Sequence, residues 1–231
     1  MLRRARIGGC CPRARRLLRP RRLLIAAAAL LIVSIPSCFP GPIDDLWPPR
    51  PGEPSHRIEV VYHDWHTFIV EPRAAAAGAE PDGGFFEWEF AEKAWYLEGR
   101  QGIGGVFRAL FWPSDSALSR KEVARPFWAR FPERPIERWS FVVSEEGLRR
   151  LVAYAESVRG EPLAGRRGWY AGRRPYHLFF LCHHFTLRAL REAGLPVAPW
   201  WGYTYWMTEI QLDRVARFHE SRGVLEEAAA R

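Results

Sequence analysis

The chain has 231 residues, 48% of them hydrophobic, enough for one domain with a real core and for two only if both are small. Its formal charge of +8 comes from one place: nine arginines and no acid lie in the first 22 residues, and subtracting nine from +8 leaves the rest near −1. The basic balance is a property of the leader, which argues against nucleic acid as a partner.

The arginine block runs into residues 23–35, LLIAAAALLIVSI, an apolar stretch of 13, short of the roughly 20 that a membrane-spanning helix needs. It reads as the hydrophobic region of an export signal. Ile35-Pro36-Ser37-Cys38 follows and resembles a lipoprotein signal site with Cys38 as the lipidated residue; the proline is unusual there. An uncleaved anchor, cleavage to a soluble form and a mistaken start codon are the alternatives, and Arg21-Arg22-Leu23-Leu24 faintly matches a twin-arginine signal. The expected location is the bacterial cell envelope, membrane-anchored on the periplasmic side, with the membrane as partner. Cys10 and Cys11 stay in the leader and a lipid would consume Cys38, so Cys182 has no mate and a disulfide framework is excluded. A lone thiol in an oxidising compartment is either buried or used.

Residues 39–55 hold six prolines and no periodic apolar pattern, and read as a semi-extended tether. One globular domain is expected over 56–222, with a frayed tail over 223–231. Residues 57–72 suit one strand broken near Asp64 or a tight pair. His63 and His66 are three apart and on one extended chain would point to opposite faces, leaving one for a given site. Residues 74–84 read as a loop. Residues 85–99 alternate aromatics with Glu87, Glu89 and Glu92, a strand able to set an acid beside a histidine. A short helix or turn is predicted over 102–113, packed by Val106, Phe107, Leu110 and Phe111. Strands are expected over 122–131 and 137–143.

Ser144 reads as a helix cap, with Glu145 and Glu146 at the positive end and Leu148, Leu151, Val152, Ala155 and Val158 as the buried stripe before Gly160. Residues 161–175 read as a loop rich in glycine and arginine. Residues 182–193 have helical spacing and are stopped by Gly194 and Pro196, but no Ser, Thr, Asp or Asn caps their start. Thr208 with Gln211 forms a capping-box pattern and Met207 with Leu212 a staple, predicting a last helix to about residue 219. Consecutive strands followed by helices make the fold α+β, an antiparallel sheet with helices packed on one side.

A helix that begins near Cys182 sets unpaired amides and the positive dipole end beside the sulfur, which favours thiolate. A thiolate enzyme also needs a base within reach and a third group to hold the imidazole. His66 is the candidate base, and Glu92, Glu89 or Glu87 the orienting acid. Cys182 would attack an amide, thioester or ester carbonyl and His66 would take and return the proton. Trp65, Tyr176, His183 and Trp201 are candidate substrate contacts. The rival reading makes Cys182 a small core residue of a non-catalytic envelope lipoprotein that binds a ligand or partner through an aromatic surface. Trp200, Trp201, Tyr203, Tyr205 and Trp206 could wall a cleft, though core packing explains them as well. Cys182, His183, His184, His63 and His66 are zinc-ligand types, yet His183 and His184 diverge by about 100° on a helix and no CxxC or HExxH is present. No metal or cofactor is expected.

Trp65-His66-Thr67 within 61–70, Trp95-Tyr96-Leu97 closing 87–97, residues 109–114, and above all Tyr176-His177-Leu178 through Cys182 to Leu195-Pro196 together resemble a family of bacterial conserved hypothetical proteins. It is the domain-of-unknown-function family numbered 2459, some members of which are encoded near urease genes. The likeness covers roughly residues 58–214 and implies no established activity. Where that family commonly has Asn after the cysteine this chain has His183, and in place of Gly-Trp-Gly-Asp it has Glu89-Phe90-Ala91-Glu92. In pattern alone, the order His before Cys is similar to circularly permuted papain-like amidases and the lecithin:retinol acyltransferase group. That likeness implies a cysteine at the start of a helix packed on the sheet that bears the histidine.

Overall fold

A computed structural model describes residues 39–73 and 84–221. The leader with Cys38, the loop residues 74–83 and the tail from 222 lie outside the described residues. Seven strands form one sheet in the order β5-β1-β2-β3-β4-β7-β6 with every pairing antiparallel. They are β1 Ser55–His63, β2 His66–Pro72, β3 Phe85–Glu92, β4 Ser116–Val123, β5 Glu137–Ser144, β6 Arg159–Pro162 and β7 Trp169–Gly172. The helices are α1 Lys93–Tyr96, α2 Ile103–Phe111, α3 Phe127–Arg130, α4 Glu145–Val158, α5 Cys182–Glu192 and α6 Tyr205–Ser221, with a 3-10 turn Pro199–Trp201. The fold is α+β with helices on the sheet.

The core lies between the sheet and α4, α5 and α6. Ile58, Val60, Ile69, Trp88, Phe90, Leu118 and Phe141 from the strands meet Leu151, Ala155, Phe185, Ala189, Leu212 and Val215 from the helices. A smaller cluster of Val61, Phe68 and Val70 is covered by Phe127, Trp128 and Ile136. Ser144 caps α4, accepting the Gly147 N–H at 3.0 Å, as its sequence demands.

β1 and β2 are the tight pair. Asp64 and Trp65 form the turn with φ of 46° and 71°, the left-handed pairing that a two-residue hairpin needs. The turn corrects the expectation for the two histidines: His63 and His66 are direct cross-strand partners, and such partners share a face. Their neighbours still differ. His63 Nδ1 lies 3.1 Å from the Pro135 carbonyl and its ring packs on Phe127, whereas His66 turns toward the start of α5.

The expected tether is instead part of the fold. The Ile43 N–H bonds the Gly194 carbonyl at 2.9 Å. The Trp47 indole donates to the Val142 carbonyl at 3.0 Å, and its ring lies 5.4 Å from that of Phe218, so Leu46 and Trp47 are buried. Three apolar side chains within five residues supply the burial, and the surrounding prolines leave few N–H groups to satisfy. Gly194 makes the room: at φ +99 it both ends α5 and brings its backbone so close that an added Cβ would sit 2.6 Å from the Leu46 Cβ.

Three other expectations change. The strand expected over 122–131 lies earlier, as β4, and its second half becomes α3. The loop expected over 161–175 contains β7 and the end of β6, an edge hairpin that extends the sheet. The last helix begins at Tyr205, because Thr204 rather than Thr208 accepts the first-turn N–H, that of Met207, at 3.4 Å.

Trp47→Ala is expected to lower the unfolding free energy by about 3–5 kcal/mol in a denaturant titration, where a tether residue would change nothing. Burial raises the Glu71 carboxyl to about 7 even though Trp88 donates to it. A folded value above the unfolded one contributes stability that is complete below about pH 4.5 and lost as pH rises through about 7. Glu71→Gln should therefore flatten the decline of Tm with pH across that window.

Candidate active site

The site is built where the first turn of α5 meets the start of β2. One turn along α5 from Cys182, the Thr186 hydroxyl meets that of Thr67 at 3.1 Å in a buried contact, and Phe185 stacks on Phe90 of β3 at 5.5 Å. Positions i+3 and i+4 lie below Cys182 on the same side of the helix, so these contacts aim its sulfur at β2. The Thr67 N–H then donates to the sulfur. The missing cap is supplied by His184, whose Nδ1 accepts the Leu181 N–H at 3.3 Å, the reciprocal half of a capping box. Burial, with the charges of His183 and His177, pushes His184 down to about 4, so near neutral pH the ring is uncharged and its nitrogen can accept.

His66 reaches the sulfur from the β2 side. Burial pushes the Cys182 thiol up, but the charges of His183 and His66, the hydrogen bond with His66 and the Thr67 N–H outweigh it and bring the group down to about 5. On His66, burial pushes the ring down, while the Cys182 charge, its hydrogen bond and Glu89 lift the ring above its ordinary value. The Tyr176 hydroxyl, raised by burial and then by Cys182, donates to the sulfur and accepts the Cys182 N–H.

Behind His66, the Tyr96 ring lies 5.2 Å from the imidazole and its hydroxyl donates to Glu89. Lys121 Nζ donates to Glu89 Oε1 at 3.1 Å. Glu89 is the direct cross-strand partner of Phe68, hence diagonal to His66 across the β2–β3 pair. His66 Nε2 and Glu89 Oε2 are both buried without a hydrogen-bond partner. Among the three candidate acids, Glu89 alone influences the His66 charge. Glu92 caps α1 through the Trp95 N–H and pairs with Arg108 at 3.4 Å; Glu87 pairs with Arg130 of α3.

The expected substrate contacts separate. Tyr176 touches the sulfur. His183 is buried, with both ring nitrogens unpartnered, and gives Cys182 its largest charge contribution. Trp65 is 87% exposed on the turn beside His66. It helps line a cavity of about 390 Å³ with Tyr62, His63, Asp64, Pro135, Ile136 and Glu137. Tyr62 lines that cavity, and burial raises its hydroxyl, with the charges of Cys182, Glu137 and Asp64 acting in the same direction. Trp201 is buried edge-on to Trp206 at 5.9 Å, and so packs rather than walls an open cleft.

Sequence reasoning missed Tyr62, Thr67, Tyr96, Lys121 and Thr186. Tyr62, Thr67, Tyr96 and Thr186 stand inside the segments already noted, a usable signal; Lys121 has none. Among the described residues, no group of three or more His, Cys, Asp and Glu side chains is arranged to hold a metal ion. In comparisons with known proteins, the chain matches no family model, no curated protein and no solved structure.

Glu89→Gln removes the negative charge that supports the His66 cation. The His66 titration, followed by NMR of the ring protons, is expected to move to lower pH. Glu92→Gln should leave that titration in place and instead cost about 1 kcal/mol of stability as a lost cap.

Proposed function

We propose that the protein is an envelope thiol enzyme, held at the membrane through Cys38 or its leader, in which Cys182 and His66 transfer an acyl group from an amide, thioester or ester. The reading rests on one observation, a thiol brought down to about 5 beside an imidazole lifted above its ordinary value. Above about 5 the sulfur is anionic, and the lift on His66 favours the cationic ring beside it, the charge state needed for attack and for protonating a leaving group.

The thiolate adds to the carbonyl carbon and the carbonyl electron pair moves to oxygen. Amides in the first turn of α5 have no partner within the helix and face that developing charge. The Tyr176 hydroxyl, which donates to the resting sulfur, follows the charge. Collapse of the adduct breaks the bond to the amine, thiol or alcohol, which leaves with the proton from His66. The neutral imidazole then takes a proton from water or an acceptor nucleophile, whose attack on the thioester releases the acyl group and regenerates the thiolate. Glu89 supports the imidazolium by its charge through this cycle, and Tyr96 and Lys121 hold Glu89.

The chain order, a histidine strand before a cysteine helix, supports the likeness to permuted papain-like amidases. The non-catalytic alternative is favoured by one observation: Cys182 is 4% exposed, and neither it nor His66 lines the cavity beside Tyr62 and Trp65.

Iodoacetamide labelling of full-length protein, followed peptide by peptide, separates the two. Labelling of Cys182 is expected to rise with pH through about 5. In His66→Ala that rise should move toward the ordinary thiol range near 8.5, slowing the reaction at pH 6 by about tenfold or more. Labelling of Cys182 only after unfolding would make it a packing residue.

A further inference from the structure

Helix α2 is turned inside out. It buries its small residues Gly105 and Ala109 and holds out its large apolar ones: Ile103 is 81% exposed, Phe107 61%, Phe111 63% and the following Trp112 73%, with Val106 also exposed. Phe179, 67% exposed, is brought alongside because the Leu178 N–H bonds the Leu110 carbonyl at 2.8 Å. The small face is required by the contact below it, since a Cβ on Gly105 would sit 2.5 Å from the Arg100 carbonyl and 2.9 Å from the Trp95 ring. A helix folded only to complete a core shows the reverse polarity. The expected inward packing of Phe107 and Phe111 is thereby corrected.

Apolar patches of this size mark a protein partner or a membrane, and three features select the membrane. The side chains are Ile, Val and Phe with a tryptophan at the end, the composition of a helix lying in a bilayer interface. The surrounding exposed charge is mostly cationic: Arg166 reaches the Leu97 carbonyl nearby, and Arg173 and Arg174 lead into the segment bonded to Ser114 and Ser116, while Arg100 flanks the helix paired with Glu98 at 3.3 Å, which leaves Asp115 as the opposing acid. Such a rim suits anionic headgroups. Finally, residues 23–38 read in the sequence as an export signal with a lipidation site, and the chain is tied to the fold as early as Gly41, whose carbonyl accepts from Arg191 at 2.6 Å. The three residues from Cys38 to Gly41 span at most about 11 Å of chain.

We propose that the outward face of α2, with Trp112 and Phe179, seats in the interfacial layer of an anionic phospholipid bilayer. The inference stands on α2, its rim and the leader, and does not depend on the thiol chemistry. If both hold, substrate reaches Cys182 from the lipid surface, because Tyr176 and Leu178 join α2 to the segment ahead of the cysteine.

The test uses full-length protein reconstituted into phosphatidylcholine–phosphatidylglycerol vesicles with brominated acyl chains, which quench nearby tryptophans. Trp112→Phe is expected to remove a distinct share of the quenched emission, and Trp200→Phe is not. A Phe107→Ser, Phe111→Ser double variant with an unchanged thermal melt should lose the Trp112 share while remaining membrane-bound through its leader. Vesicles of phosphatidylcholine alone should quench Trp112 less, and equal quenching would remove the arginines from the proposal. A quenched share unchanged in Trp112→Phe overturns seating in lipid, as does crosslinking through this face that shows a second copy covering it.

Discussion

A buried pair of threonine hydroxyls holds the site together. Thr67 on β2 and Thr186 on α5 meet at 3.1 Å, and each is rigid at χ1 because it is β-branched. The contact fixes both the height and the rotation of α5 against the sheet. From it follow the direction of the Cys182 sulfur, the hydrogen bond from the Thr67 backbone and the approach of His66 from the neighbouring residue. Removing one hydroxyl would leave the other buried and unsatisfied, a cost of about 1–3 kcal/mol, and would free the helix to rotate. A strand and a helix more than a hundred residues apart are thus brought into register by a polar contact, where the apolar core around them is tolerant of small shifts.

The electrostatics extend outward from that contact. The sulfur is surrounded by His66, His183 and the Tyr176 hydroxyl, and behind His66 stand Glu89, Tyr96 and Lys121. Burial opposes the charges on Cys182 and His66, and each is favoured by the opposite charge of the other at short range. Lys121 plays a double part: it donates to Glu89 and its charge opposes that of His66. The balance between the strand acid and the strand base therefore involves β4 as well as β2 and β3.

Much of this was legible in the sequence and some was not. The Ser144 cap and the stop of α5 at Gly194 were readable because local rules decide them: a side chain that accepts a first-turn amide and a glycine that accepts positive φ. The start of α5 at Cys182 was readable from helical spacing, with no capping residue to mark it. The partnership of His66 with Cys182 was readable as chemistry, from residue types and their order. The shared face of His63 and His66 was hidden, because it depends on whether Asp64-Trp65 turns the chain, and neither residue is the glycine that usually announces such a turn. The burial of Trp47 was hidden among prolines, since its partners Val142 and Phe218 are distant along the chain. The outward face of α2 was misread for a simple reason: periodicity locates an apolar stripe without saying which side of the helix meets the protein.

The burial of Trp47 also orders events in time. Its carbonyl acceptor lies 95 positions downstream, and its ring neighbours Phe218 and His219 are in the final helix. The Trp47 ring then lacks these neighbours until α6 has emerged. A chain interrupted before α6 keeps the Val142 and Gly194 contacts of residues 43–47 but lacks the aromatic half of the clasp around Trp47.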